Sequence, residues 1–314
     1  MHASIVFTML CMAYCGAATQ SYSGAASCVS ITGPHDCLLR RKCGRLQRFI
    51  RGTVLTMQCQ ILWATLPHKV FFPQTEPYNK SLLSYYSGQE GDISPSCIVK
   101  PESASHVSQA IKILRGAHLL SRGSCKFAVR GGGHTPYAGA ANINAGITVD
   151  LSSMNSVTVN KNQNSVSVGP GALWQDVYTK LDAMNIAIVG GRSNLVGVAG
   201  LTTGGGISFF SARYGFVCDG VLNYQIVLGD GRIVNANDRE NADLRTALRG
   251  GSNNFGIVTR FDFAMFDQGE LWGGDILYDF STLAQQLQAF VDYGNNPEYD
   301  EYSCLLYTSD AADE

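Results

Sequence analysis

Twenty-two of the 34 glycines lie between Gly123 and Gly256. Glycines gather like this where a backbone turns sharply, takes a positive φ, or approaches another group too closely for a side chain. Three clusters stand out. The first, Arg130-Gly131-Gly132-Gly133-His134-Thr135, is entered from a strand-like Lys126–Arg130. No helix pattern opens directly after it, so it is not a Rossmann fingerprint. Its consecutive N–H groups suit an anion nest or the close approach of a flat ring, with His134 at the edge. The second is Gly197-Val198-Ala199-Gly200-Leu201-Thr202-Thr203-Gly204-Gly205-Gly206. A helix over Ile207–Arg213 is expected to follow, and a helix N-terminus entered from glycines is a natural diphosphate site. The third, Arg249-Gly250-Gly251-Ser252-Asn253-Asn254-Phe255-Gly256-Ile257-Val258, runs into a β-branched strand. A single cluster reads as a loop; three, each abutting a regular element, point to a bound cofactor.

The 314 residues are 45% hydrophobic and only 15% charged, so a sizeable core can be buried and bulk disorder is excluded. A net charge of −2 gives no electrostatic reason to expect nucleic acid as a partner. Ile5–Tyr14 is an apolar run followed by Cys15-Gly16-Ala17-Ala18. It reads as a secretory signal peptide over residues 1–18, too short to span a bilayer. No later run reaches transmembrane length, so a secreted, extracellular protein with no membrane partner is expected. Asn79-Lys80-Ser81 is a glycosylation sequon that fits this compartment. None of the ten cysteines forms a CxxC pair, which argues against structural zinc, and no metal site is expected. Pairing of Cys59 with Cys97 or with Cys125 would tie an N-terminal arm to the domain that begins after it.

Residues 19–69 read as such an arm. Within 28–58 six basic residues fall between Arg40 and Arg51. They fit a nucleic-acid or membrane patch, a solvated linker, or translated non-coding sequence; the lack of periodicity favours the last. From Cys97 the pattern sharpens. Cys97–Lys100 is strand-like, and Ser103 or Ser105 can cap a helix whose apolar stripe is Val107, Ala110, Ile111 and Leu114. Ile147–Leu151, Ser156–Asn160 and Ser165–Gly169 read as strands, with Lys161–Asn164 a hairpin loop, and Ala172–Met184 as a helix. Gly229-Asp230-Gly231 between Val221–Leu228 and Arg232–Asn235 is a hairpin turn. Asp243–Leu248 is helical and Phe255–Phe263 extended. Helices and strands interleave without strict alternation, so the class is α+β. Leu271–Phe280 is strand-like, Ser281–Tyr293 a capped helix, and 305–314 reads as an artefactual tail. Trp63, Trp174 and Trp272 are expected in the core. Tyr137 and Tyr214 either face the bound cofactor or pack, with packing favoured.

The motifs resemble a known family. Arg130 to Gly139, Val149-Asp150-Leu151, Val168-Gly169-Pro170-Gly171, Gly197 to Gly206, Leu228-Gly229-Asp230-Gly231-Arg232 and Ala247 to Arg260 follow in the order found in flavin-dependent oxidoreductases with a PCMH-type FAD-binding domain. The nearest branch is the fungal relatives of berberine bridge enzyme. The resemblance covers Val70 to Phe266. It implies an FAD-binding domain over 70–268, built of two α/β subdomains, and the start of a truncated α/β substrate domain over 269–304.

The same resemblance implies that His134 bonds covalently to the flavin 8-methyl carbon. It places Arg130, Gly131, Gly132, Gly133, Thr135, Gly139, Gly200, Gly204, Gly205, Gly206, Gly256, Ile257 and Val258 around the FAD. Some relatives carry a second linkage through a cysteine; Ser193 stands at that position here, so attachment through His134 only is expected. The implied function is hydride transfer from a small-molecule substrate to flavin, with O₂ as electron acceptor. The catalytic base would belong to the substrate domain, and none is assigned. The alternative is a non-catalytic flavin-binding fragment of such an enzyme.

Overall fold

The computed structural model describes residues 57–120, 125–274, 276–298 and 300–305. The signal peptide, the arm up to residue 56 and residues 306–314 of the tail lie outside them. Two sheets make up the described part, each with its own core. The first has the order β1-β2-β4-β3, formed by β1 (Val70–Phe71), β2 (Cys97–Val99), β3 (Phe127–Arg130) and β4 (Ile147–Asp150). β2, β4 and β3 are parallel, and β1 runs antiparallel to β2. All residues of β2 and β4 are buried, as expected of parallel strands covered on both faces.

Helix α1 (57–65) precedes this sheet, and α2 (Glu76–Leu83) and the single turn α3 (Gly88–Gly91) lie between β1 and β2. Helix α4 (Ala104–Leu120) is the crossover from β2 to β3. The Ser103 hydroxyl accepts from the His106 amide at 3.2 Å and starts it, satisfying one orphan donor of the first turn. The stripe Val107, Ala110, Ile111, Leu114 is at most 5% exposed. Cys59 of α1 is bonded to Cys97 of β2 across 38 residues, so of the two pairings open from sequence the arm uses Cys97.

The second sheet is antiparallel, with the order β5-β6-β10-β8-β9 and β7 paired to the far end of β10. Its strands are β5 (Val157–Asn160), β6 (Ser165–Val168), β7 (Ile186–Ile188), β8 (Val221–Val227), β9 (Ile233–Asn237) and β10 (Ile257–Asp267). β10 is the spine. Phe261 and Phe263 point into the core at 0% exposure while Arg260 and Asp262 face the other side, the period-two alternation of a half-buried strand. Helix α5 (Trp174–Asp182) closes that core with Trp174, Val177 and Leu181.

The two sheets are joined by contacts of both kinds. The Gly229-Asp230-Gly231 hairpin tip docks on α4, where the Ser108 hydroxyl donates to the Gly231 carbonyl at 2.5 Å. A methyl group at Gly231 (φ +84°) would strike the Lys112 stem. Val227 and Ile257 belong to the first core, while their neighbours Ile226 and Val258 belong to the second.

Three expectations are corrected. The helix expected over Ile207–Arg213 is only the turn α7 (Ser211–Tyr214); a helix instead precedes the three glycines, as α6 (Val198–Thr203). Gly205 at φ +109° and Gly206 at φ +74° end it, a conformation that cannot continue a right-handed helix. Leu271–Phe280 forms no strand among its described residues, and Trp272, Ile276 and Leu277 are exposed. Of the tryptophans only Trp174 is core; Trp63 and Trp272 are 57% and 94% exposed. Beyond α8 (Ala242–Leu248) and β10, the C-terminal helix is α9 (Leu283–Gly294), with no buried residue.

Candidate functional site

The first two glycine clusters cross each other. A Cβ at Gly132 would lie 2.5 Å from the Gly197 Cα, and one at Gly197 would lie 2.5 Å from the Gly132 nitrogen. Neither position can hold a side chain without moving a backbone. The crossing puts Gly131 against α6: a Cβ there would lie 3.2 Å from the Ala199 Cβ and 4.0 Å from the Gly200 nitrogen. Gly197 is the N-cap of α6, and the first-turn N–H groups of a helix have no partner within it. The Val198 amide donates to the Ala172 carbonyl at 2.9 Å, which fixes the helix start against α5.

The surroundings have the shape of a cradle. Gly200 and Gly205 have nothing within 4 Å of where a side chain would begin. The Thr202 hydroxyl is buried without a hydrogen-bond partner. Tight backbone crossing on one side and open space on the other suit a flat, phosphate-bearing ligand laid along the loops. Gly204 and Gly206 shape the exit of α6; Gly206 packs against Leu201 and Val217.

The third cluster joins the second through the Ser252 amide, which donates to the Thr203 carbonyl at 2.9 Å. Gly256 takes φ +143°, and a Cβ there would lie 2.5 Å from the Val227 carbonyl oxygen. Ile257 and Val258, 7% and 6% exposed, begin β10 beside Val227 and Ile226, where the two cores meet. Arg249 is paired with Asp219, so this loop is also tied to the turn behind α7.

The His134 loop is held from the 81–90 segment, which in the sequence carries only Ser81, the last residue of the glycosylation sequon. Arg130 is 3% exposed and its guanidinium lies beneath the loop, where a Cβ at Gly133 would sit 2.7 Å from its Nε. It donates to the Ser81 carbonyl at 2.5 Å and the Ser84 carbonyl at 2.8 Å, over the Tyr85 ring at 3.9 Å. Ser81 also donates to the buried Asp150 carboxylate at 2.6 Å. Burial pushes the Tyr85 phenol up, so it stays a donor, to the Ala141 carbonyl at 2.9 Å. Glu90, 0% exposed, accepts the Gly139 amide at 3.1 Å and the Ala141 amide at 2.6 Å. Gly139 therefore spends its N–H on Glu90. Thr135 accepts from the Tyr137 amide at 3.4 Å. The Tyr86 amide donates to the Gly133 carbonyl at 3.0 Å, and its ring stacks on His134 with centroids 4.0 Å apart.

Other singled-out residues lie elsewhere. Ser193 is exposed in the loop before Gly197, and Asn79 is exposed on α2. Tyr214 stacks on Phe266 at 4.5 Å; Tyr137 is 75% exposed and is no packing residue. Burial raises the pKa of the Cys218 thiol. No group of three or more metal-ligating side chains occurs among the described residues.

Fold and site together define an α+β protein whose glycine loops converge on one ligand site. The FAD binding domain family matches residues 95–237. A curated relative, the FAD-dependent monooxygenase CTB5 of Cercospora beticola, is 42% identical over 252 residues, 80% of this chain and 48% of that protein. Physcomitrella patens BBE-like 1 superposes with a TM-score of 0.58 at 30% identity, over 67% of this chain and 44% of its own. A carbohydrate oxidase from Microdochium nivale superposes with a TM-score of 0.60 at 29% identity, over 67% and 43%. Over residues 95–237 the chain is an FAD binding domain, and it is similar to berberine bridge enzyme-like oxidases. It spans about half the length of the curated relatives it matches.

Proposed function

We propose that this protein is the FAD-bearing half of a secreted oxidoreductase acting on a small molecule. The observation that carries the reading is the Gly132–Gly197 crossing, which sets the His134 loop against the first turn of α6. The chemistry the cofactor supplies is acceptance of a hydride at N5 from the C–H of an alcohol, sugar or alkaloid-like substrate, and return of the electron pair to O₂. The protein's part is to bind and orient. Gly131, Gly132 and Gly200 give backbone donors and Gly200 and Gly205 clearance, while Gly204, Gly205 and Gly206 end α6, the first two spending their amides on the Gly200 and Thr202 carbonyls. Gly256, Ile257 and Val258 give a main-chain edge, and His134 gives a nucleophilic imidazole for a covalent bond. Ser193 has no thiol, so His134 is the single attachment point. Relatives named as a monooxygenase and as a carbohydrate oxidase support O₂ as acceptor.

A second reading, insertion of one oxygen atom into the substrate, is favoured by the names of the curated relatives. One experiment separates the readings. The flavin-loaded protein is mixed anaerobically with panels of sugars, alcohols and phenolic or amine compounds, and the visible flavin band is followed. Bleaching by a substrate, recovery in air and hydrogen peroxide matching product support the oxidase; label from isotopic O₂ in the product supports insertion. Flavin that no compound bleaches would mark this chain as a binding fragment only. Secretion and a glycan at Asn79 belong to the same proposal, and a mobility shift after enzymatic deglycosylation, absent in Asn79→Gln, tests them.

A further inference from the structure

The Tyr86 ring lies nearly parallel to His134, at 17° and 4.0 Å. Yet Tyr86 is 64% exposed, so burial does little to keep it there. Four of its neighbours in the chain are engaged with the same loop or the strand that enters it. Ser84 and Tyr85 hold Arg130, the Ser87 hydroxyl reaches the Pro136 carbonyl, and Glu90 takes two loop amides. These contacts fix the backbone of the loop. Tyr86 is the member of the set whose side chain touches the imidazole itself.

We propose that Tyr86 is a positioning residue for flavin attachment: its ring covers one face of the His134 imidazole and leaves the nitrogen-bearing edge directed at the cofactor. The inference rests on the reading that His134 bonds the flavin. In that step one imidazole N–H and one C–H of the flavin 8-methyl group break and one N–C bond forms. The two hydrogens leave on O₂ as hydrogen peroxide. A ring held in one orientation reaches the bond-forming geometry more often than one that rotates freely.

The test uses the full chain freed of flavin by expression in a riboflavin-starved host. FAD is added in air, and acid-precipitable flavin is followed over time for wild type, Tyr86→Phe and Tyr86→Ala. An aromatic stack of this kind corresponds to roughly a two- to tenfold effect. The expected result is that Tyr86→Phe matches wild type while Tyr86→Ala attaches flavin roughly two- to tenfold more slowly. Reversible FAD affinity and melting temperature stay unchanged. Equal rates in wild type and Tyr86→Ala overturn the proposal, as does a Tyr86→Phe rate as slow as Tyr86→Ala. A separate arm reads the His134 ring protons by NMR in the flavin-free protein: the stack displaces them upfield, and Tyr86→Ala abolishes the displacement. If wild type shows that displacement but attaches no flavin, the His134 linkage is what fails and the positioning role falls with it. If it attaches flavin with no displacement, the stack alone is refuted.

Discussion

A methyl group at position 132 has no room, and one at position 200 has nothing near it. The two glycines belong to the same site but answer to different constraints. Gly132→Ala forces its Cβ into the Gly197 backbone and should cost about 1–3 kcal/mol of stability, with loss of bound flavin resulting from the displaced loop. Gly200→Ala should do the opposite to the flavin-free protein. It replaces a helical glycine and should stabilise by about 0.5–1 kcal/mol, while FAD affinity falls because the new methyl group occupies the ligand's space. Denaturant titration of the flavin-free forms, paired with FAD titration, checks both. A Gly200→Ala variant that binds FAD as tightly as wild type would move the cofactor away from α6. The same scale explains what the sequence hid. Glu90 and Tyr86 lie in a short turn with no periodicity, and their partners are about 50 residues away along the chain, so no local pattern marks them. Arg130 stands next to the glycines in sequence, but its side chain is buried beneath them, held by Ser81 and Ser84.

The elements that were legible are those whose burial follows a short-range period. Helix α4 was readable because Val107, Ala110, Ile111 and Leu114 repeat at helical spacing, and β10 because its aromatic residues alternate. Helix α6 was not, because Val198-Ala199-Gly200-Leu201-Thr202-Thr203 combines β-branched residues with glycine. It is helical because its start is pinned by the crossing loop and by Ala172. Leu271–Phe280 alternates like a strand but has no partner strand among the described residues. The outer face of the second sheet carries a polar row that a period-two reading shows only as non-apolar. Ser167 and Asn223, from the strands on either side, and Arg260 all donate to the Asp262 carboxylate. Burial alone would push that carboxyl up; the three donors outweigh it and hold it below the usual carboxylate range. A lowered native value means the stabilisation is complete above the unfolded value, about 4, and is lost as pH falls through the lower native one. Asp262→Asn should therefore lower stability by about 1–3 kcal/mol at neutral pH and flatten its decline below about pH 4. Denaturant midpoints across that range test this. Equal acid dependence in both proteins would rule the carboxylate out as a contributor.

At the scale of the molecule, two sheets meet along Val227, Ile257 and the docked hairpin, and the glycine clusters converge from both. That convergence was foreshadowed by three separate motifs but not by any of them singly, since the Gly132–Gly197 contact spans 65 positions of the chain. The Cys59–Cys97 bond secures α1 to the first sheet and closes a 38-residue interval. By chain entropy its reduction should destabilise the fold by about 3–4 kcal/mol, read as a lower melting temperature in dithiothreitol and an equal loss in Cys59→Ser. The proposed function puts a flavin bonded at His134 on these loops, and its most direct test needs no substrate. The chain is expressed in a secretory host, precipitated with acid, and the visible spectra of pellet and supernatant are recorded beside a His134→Ala control. A flavin bonded at His134 leaves yellow colour in the wild-type pellet and none in the control pellet. Colour confined to the wild-type supernatant, or equal colour in both pellets, would contradict it.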